Sequence, residues 1–402
     1  MSLQIYMVTK LGGPTALYDP VFSEISRAIF TGLPRSDQRS RGMDYLGGLL
    51  QTSGRKSIRS ISRSAEGQAS DQRLHHFIYG STWDWVPMRK ALAAYLLERL
   101  QVEAWVVQPM VILKAGRHSV GVERRFVQSA GRALNTQRAV GVWAAANEVG
   151  TPVNWGLDLS EAWLDDKMRR RRAAIPDEVR SGGLGDRAME LYRDIRAWPL
   201  PARPVVLDAR EMDASVVRKL SDSGASVIAR IDGSVPLRSA DEALIGHSTT
   251  KSMAAAQIIA ATKGIRRRIP MHLHRERRDR WVASVCVTMP VDSLGIEGGG
   301  EDREFILMGS GRYGEHDSGT LYLTNIRSTP FIDLLRLCSL LNRVETDNLR
   351  TAENVGIRDY TGRSFSGWHR HVTLASAAHA IDALRRLDGY VADESGDEQA
   401  AN

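Results

Sequence analysis

Between residues 104 and 232 the chain switches from one hydrophobic period to another, and this constrains its fold more than any other feature. Three β-rich runs come first: "AWVV" (104–107), "HSVGVERRFV" (118–127) and "QRAVGVWAA" (137–145), joined by short connectors. Such runs of β-branched and aromatic residues read as strands, and three in succession predict an antiparallel meander. A charged helical stretch follows, with "KMRRRRAAIPDEVR" and a helix near 184–197. Then come "ARPVVLD" as a strand, a helix near 213–223, and "ASVIARID" as another strand. That strand–helix–strand order predicts parallel pairing onto the meander.

Three antiparallel strands followed by βαβ units is the layout of an RNase H-like core. The expected fold class is therefore α+β or α/β. Residues 1–100 read as a helical N-terminal domain, with helix-length segments at 19–30, 36–50 and 86–100 separated by Gly, Pro and Ser. The core occupies 101–232 and is interrupted at 233–330 by a β-rich insertion carrying "RWVASVCVTMP", "REFILMG" and "GTLYLTNI". It resumes as C-terminal helices over 331–390, where Leu374, Ala378 and Ile381 fall on one helical face. The acidic tail 391–402 has the composition of a disordered segment.

Composition bounds the function. The 402 residues, 43% of them hydrophobic, are enough for two or three domains with a sizeable core. Two widely separated cysteines, Cys286 and Cys338, make neither a disulfide framework nor a zinc motif. The start "MSLQIYMVTK" lacks the charged and apolar regions of a signal peptide, and no run of about 18 apolar residues occurs. A cytoplasmic protein without a membrane partner is expected. The net charge of +7 favours a polyanionic partner, with nucleic acid ahead of an anionic membrane.

Basic residues concentrate in two places. "SGRKSIRSISRSA" carries Arg55, Lys56, Arg59 and Arg63 among serines, and the second cluster is Arg169, Arg170, Arg171 and Arg172. One reading is a helical bundle with a solvated basic face, and the sharper one is a clamp on the DNA backbone. "HLH" (His272–His274) has Arg275, Arg277 and Arg278 beside it and reads as a basic hairpin rather than a metal site. "GIEGGGEDRE" lacks the Lys-Ser/Thr of a phosphate loop and reads as a flexible turn. His369 and His371, two apart on a helix, do not share a face and are no metal pair.

Two acids stand out by position. Asp208 ends the strand "PVVLD", where ligands gather in α/β sheets, and Glu345 lies on the helix after the insertion. Taken alone, Asp208 is a helix cap or turn residue and Glu345 a solvated helix position. Two-metal phosphodiester chemistry needs several such carboxylates from different elements, because hard divalent cations take oxygen ligands.

The blocks "GLPRSDQRSRGMDYLGGLL", "GRKSI", "STWDWVPMRKAL", "GRHSVGV", "PVNWGLDLSEAW", "RRRRAAIPDEV" and "GRSFSGWHRHVTLASAAHA" occur in order over residues 29–388. In them the chain resembles the DDE transposases of bacterial insertion sequences, of the group common in actinomycetes. The resemblance implies an RNase H-like fold, DNA as partner, self-association, and three acids that hold Mg2+ or Mn2+ for strand transfer. The second acid is matched by Asp208 in "VVLDA", and the third by Glu345 in Arg343-Val344-Glu345. The first falls on Gln108, with Pro109 at the neighbouring aspartate position. Other family positions depart as well: Arg210, Glu211 and Met212 replace glycines and a tyrosine, Ala352 a lysine, and Thr361 a glutamate, while Asp213 matches.

Gln108 removes a formal charge where two divalent ions would sit, and Pro109 removes a backbone donor and fixes its φ. No acid lies between Glu103 and Glu123 to stand in. Loss of one such ligand costs a metal site orders of magnitude in activity. Three readings follow. In the first the chain is a transposase-like DNA-associated protein deficient in cleavage, which uses Arg55, Lys56, Arg59 and Arg169–Arg172 on phosphates. In the second the scaffold is recruited as an enzyme on a small molecule, with Gln108, Asp208 and Glu345 in new polar roles. In the third it is a still-active transposase, and only there is Mg2+ or Mn2+ required as cofactor.

Overall fold

The computed structural model describes residues 19–64, 70–240, 252–273, 276–290, 303–314 and 319–400. The Gly-rich turn at 295–304 lies mostly outside them, as do His274 and Arg275. In chain order the elements begin with α1 (Pro20–Phe30), α2 (Ser36–Gln51), α3 (Ile58–Ser64), α4 (Asp71–His75) and α5 (Val86–Arg99). The strands β1 (Ala104–Leu113), β2 (Val122–Val127), β3 (Arg132–Ala145) and β4 (Gly150–Asp158) follow. Next are α6 (Glu161–Leu164), α7 (Lys167–Arg172), α8 (Gly183–Ala197), β5 (Val205–Asp208), α9 (Ser215–Asp222) and β6 (Val227–Ile231). The remainder comprises β7 (Pro236–Ser239), β8 (Met253–Ala254), α10 (Ala255–Ala261), β9 (Arg267–Leu273), β10 (Glu276–Met289), β11 (Arg303–Arg312), β12 (Thr320–Thr324), α11 (Phe331–Asn354) and α12 (Phe365–Ala400).

These elements form two compact units, each assembled from separate stretches of chain. The first holds residues up to Val102, Met110–Ser181 and everything from Arg343; the second holds Glu103–Pro109 and Gly182–Asn342. Strand β1 and helix α11 each run from one unit into the other.

In the first unit, α1 starts where Asp19 accepts a hydrogen bond from the Phe22 amide (2.8 Å) and Pro20 presets the first helical φ. Its Phe22, Ile25 and Ile29 recur at helical spacing and are buried. Strand β3 pairs antiparallel with β2 through Arg132–Gln137 and with β4 through Arg138–Ala145. Strand β4 was not legible as a strand in the sequence. All nine of its residues are buried, so it shows no alternation.

Helix α12 also departs from the single apolar face expected of it. From Gly367 to Ile381 every residue is buried, so the helix is covered all round. Several of its polar side chains find partners instead of solvent. Arg370 donates to the Trp83 and Ile78 carbonyls, and Ser376 accepts from the Trp155 indole (2.9 Å). Arg89, 2% exposed, donates to Thr373 Oγ1 (2.7 Å), Asn154 Oδ1 (2.9 Å) and the Trp155 carbonyl (2.8 Å). It thereby ties α5 to β4 and α12. The helix runs on to Ala400, through the acidic segment that composition reads as a disordered tail; no proline interrupts that stretch.

In the second unit β1, β5 and β6 are parallel, with Val106 opposite Val206 and Val206 opposite Ile228. Both faces of β5 and β6 are buried, which explains their continuous apolar runs. The parallel pairing expected of the strand–helix–strand order is present. Among the described residues, the long strands of the insertion join the same sheet. Its β12 pairs antiparallel with β6, β11 with β12, and β10 with β11, so it widens the sheet that carries β5. The result is a mixed α+β architecture with an RNase H-like core.

Candidate functional site

The retained acid Asp208 closes β5 and is 7% exposed. Across the sheet it pairs in register with Arg230 of β6, and Arg230 with Tyr322 of β12. On the other side, Gln108 lies one residue beyond the Val107–Leu207 pair. Register alone therefore places Gln108, Asp208, Arg230 and Tyr322 in one row across four strands. All four are buried.

Two guanidinium groups converge on the Asp208 carboxylate. Arg210, two residues on, donates through Nε to Oδ1 (2.9 Å) and through Nη2 to Oδ2 (2.7 Å). The Arg210 amide also donates to Oδ1 (3.2 Å). Arg230 Nη2 donates to Oδ2, and Arg230 Nη1 reaches Asn342 Oδ1 (3.4 Å). Burial pushes the Asp208 pKa up, but the hydrogen bonds and charges of Arg210 and Arg230 outweigh it, so the carboxyl is held below its usual range. The trio of one carboxylate and two guanidiniums is net positive.

Gln108 is 9% exposed, and its Oε1 accepts no hydrogen bond among the described residues. Pro109 does not end β1, which continues to Leu113. Asp213 accepts from the Ser215 amide (2.7 Å) at the start of α9, a turn-and-cap role. Glu345 lies on α11 in the first unit and is exposed. Two residues on, Asp347 is buried and accepts from the Gly150 amide (2.8 Å). Within neither unit do three His, Cys, Asp or Glu side chains gather as a metal-binding group, among the described residues.

The basic residues divide by environment. Arg55 and Arg59 are exposed, whereas Lys56 is 4% exposed. The Lys56 ammonium donates to the Thr52 carbonyl, and its backbone amide donates to Asp359 (2.8 Å). Its side chain is therefore spent inside the first unit, and burial lowers its pKa. Of the α7 run, Arg171 and Arg172 are exposed. Arg169 stacks on Trp163 at 4.7 Å, and Arg170 donates to the Pro176 (2.6 Å) and Val179 (3.3 Å) carbonyls. His369 and His371 turn to different partners. His371 Nε2 donates to the Gly356 carbonyl (2.8 Å), so Nδ1 accepts from Tyr45 Oη (2.8 Å), while His369 stacks on Trp85.

Arg230 is the residue that sequence reasoning missed. Its signal was there: it is the only charged residue in the buried run Val227–Ile231. A lone charge in such a run needs a partner.

A scan of family models matches the DDE superfamily endonuclease model over residues 28–257, more than half of the chain. The chain belongs to that family. The matched span includes Gln108 and Asp208 and ends before Glu345. No curated protein sequence matches. Among solved structures, a piggyBac transposase synaptic complex with hairpin DNA is similar over 96% of this chain and 85% of its own, at 9% identity and a TM-score of 0.33. No helix among the described residues is long and apolar enough to cross a membrane.

Proposed function

We propose that this chain is a transposase-like, DNA-associated protein of the insertion-sequence type, deficient in two-metal strand cleavage. The observation that carries the reading is the double guanidinium clamp on Asp208. A divalent ion needs anionic oxygens, and the Asp208 carboxylate is already bonded to two cations. The partner across the sheet is the neutral Gln108, with no acid near it in β1. These residues do not fit a two-metal site.

DNA association is supported by the family, by the net charge of +7, and by the exposed Arg55, Arg59, Arg171 and Arg172. Lys56, Arg169 and Arg170 belong to the packing of the first unit rather than to that surface. Self-association accords with the family resemblance. One observation favours a second reading, an enzyme acting on a small molecule: the buried Gln108 Oε1 is an acceptor without a donor among the described residues, which a ligand N–H or O–H would satisfy.

The test is Mn2+-dependent nicking of supercoiled DNA bearing the gene's own flanks, with wild type beside the Gln108→Asp/Arg210→Gly double variant. Nicking by the variant alone is the expected result. Nicking by wild type at a comparable rate overturns the reading and leaves a working transposase. Cutting by neither favours the small-molecule reading.

A further inference from the structure

In the first unit, strands β2 and β3 run on beyond the reach of β1 as a two-stranded ribbon. The Lys114 amide donates to the Asn135 carbonyl (2.9 Å), and there β1 leaves the sheet. Past that point Arg125 still pairs with Leu134, Phe126 with Ala133 and Val127 with Arg132. A tight turn at Gln128–Ala130 closes the ribbon, with Gly131 in the left-handed region at φ 60°. Among the described residues, no atom beyond its chain neighbours lies within 4 Å of where a Cβ on Gly131 would stand, so the tip projects clear of the unit.

The two faces of the ribbon differ. Burial alternates along β2: Arg124 and Phe126 are exposed, while Glu123, Arg125 and Val127 are half-buried. Arg124 and Phe126, two apart, share a face, and register adds Asn135 and Ala133 to it. Ala133 is too small to cover the ring across from it, and Phe126 is 70% exposed. The Arg124 guanidinium has no partner among the described residues. On the other face Arg125 is ion-paired with Glu123, and Arg132 stands across from Val127. The sequence has no acid between Glu123 and Glu148, so nothing on the ribbon from Arg124 onward repels a polyanion.

A single exposed ring is ordinary on a protein surface. This one stands beside an unpaired cation, on an acid-free ribbon that overhangs its sheet. A protein interface takes about 800 Å² from each partner, far more than one ring and one alanine offer. A two-stranded ribbon fits the major groove of B-form DNA, where an apolar side chain meets thymine methyl groups and a neighbouring cation meets a phosphate.

We infer that the ribbon lays its Arg124–Phe126 face into the major groove of duplex DNA, with the Phe126 ring against the base edges and the Arg124 guanidinium on a phosphate. This rests on the reading of the chain as DNA-associated and adds an apolar base contact to it. The experiment is fluorescence anisotropy of the full chain with a random-sequence DNA duplex across a salt series, with sedimentation velocity on the same samples. Wild type is compared with Phe126→Ala, Phe126→Tyr, Arg124→Ala and Arg132→Ala, and unchanged thermal unfolding is the check on folding. Phe126→Ala should weaken binding about tenfold and leave the slope of log K against log salt unchanged, because an apolar contact releases no counterions. Phe126→Tyr keeps the ring and should bind like wild type. Arg124→Ala should lower the slope by about one, while Arg132→Ala, on the other face, should leave it as it is.

If wild type binds and Phe126→Ala binds as tightly, the ribbon is not a base contact and the inference falls while DNA association stands. Equal losses of slope in the two arginine variants would overturn the choice of face. If wild type does not bind duplex DNA at all, the functional reading falls, and the inference with it. A Phe126→Ala chain that sediments as a smaller species with unchanged affinity for DNA would make the tip a contact between copies, which also overturns the inference.

Discussion

Arg230 stands directly across the parallel pair from Asp208, and its guanidinium donates to the carboxylate within a row of buried residues. The side chain of Arg230 is 8% exposed, whereas that of Arg210 is 48% exposed. The same carboxylate is thus held by one inner and one outer cation, and the two should not count equally.

Arg230→Met should be strongly destabilising, because it strips a buried carboxylate of its inner partner. Loss of one partner of a buried pair costs about 3–5 kcal/mol, with Arg210 moderating the figure towards its lower end. Arg210→Gly, by contrast, removes a partly solvated partner and should cost about 1 kcal/mol or less. Denaturant midpoints of the two variants against wild type check the order. Equal midpoints would mean that Arg230 is not the anchor.

Metal affinity should follow charge at the same place. Calorimetric titration of wild type with Mn2+ should show no saturable site, while Gln108→Asp/Arg210→Gly should gain one. The double change replaces a neutral amide by a carboxylate and removes a competing cation. A saturable wild-type site abolished by Asp208→Asn would show that the clamp opens for metal.

Gly141 is a packing position. A Cβ on it would lie 2.7 Å from the Trp155 ring and 3.0 Å from Trp143 Nε1. Both tryptophans are among the largest fully buried side chains, so neither has room to move. Gly141→Ala should destabilise by about 1–3 kcal/mol through overpacking. Calorimetric unfolding would detect it as a lower Tm with unchanged far-ultraviolet dichroism.

His371 should make stability fall in acid. Burial drives its pKa down to about 4, against an ordinary 6.5. Between those values the unfolded chain takes up a proton that the folded chain refuses, so stability rises with pH through that window and flattens below about 4. In His371→Asn the decline between pH 6.5 and 4 should be shallower. Parallel pH profiles of Tm for wild type and variant would reveal an unchanged slope if the imidazole were protonated when folded.

The sequence by itself determined the class of fold. Alternating and continuous apolar runs are local signals, so β1, β5 and β6 and the helices between were legible, as was Asp208 at a strand's end. Family blocks placed Gln108 and Glu345 at acid positions for the same reason, since motifs are contiguous in sequence. Only the tertiary structure decided which charges meet. Arg230 lies 22 residues from Asp208, and only the β5–β6 register brings the two together. Lys56 reads as one of a basic cluster with Arg55 and Arg59, yet the turn before α3 points it inward to the Thr52 carbonyl. Strand β4 and the fully buried α12 hid because burial on every side erases the periodicity from which a face is read. Pairing partners, and so the charge at a site, follow from long-range register, which a linear pattern does not carry.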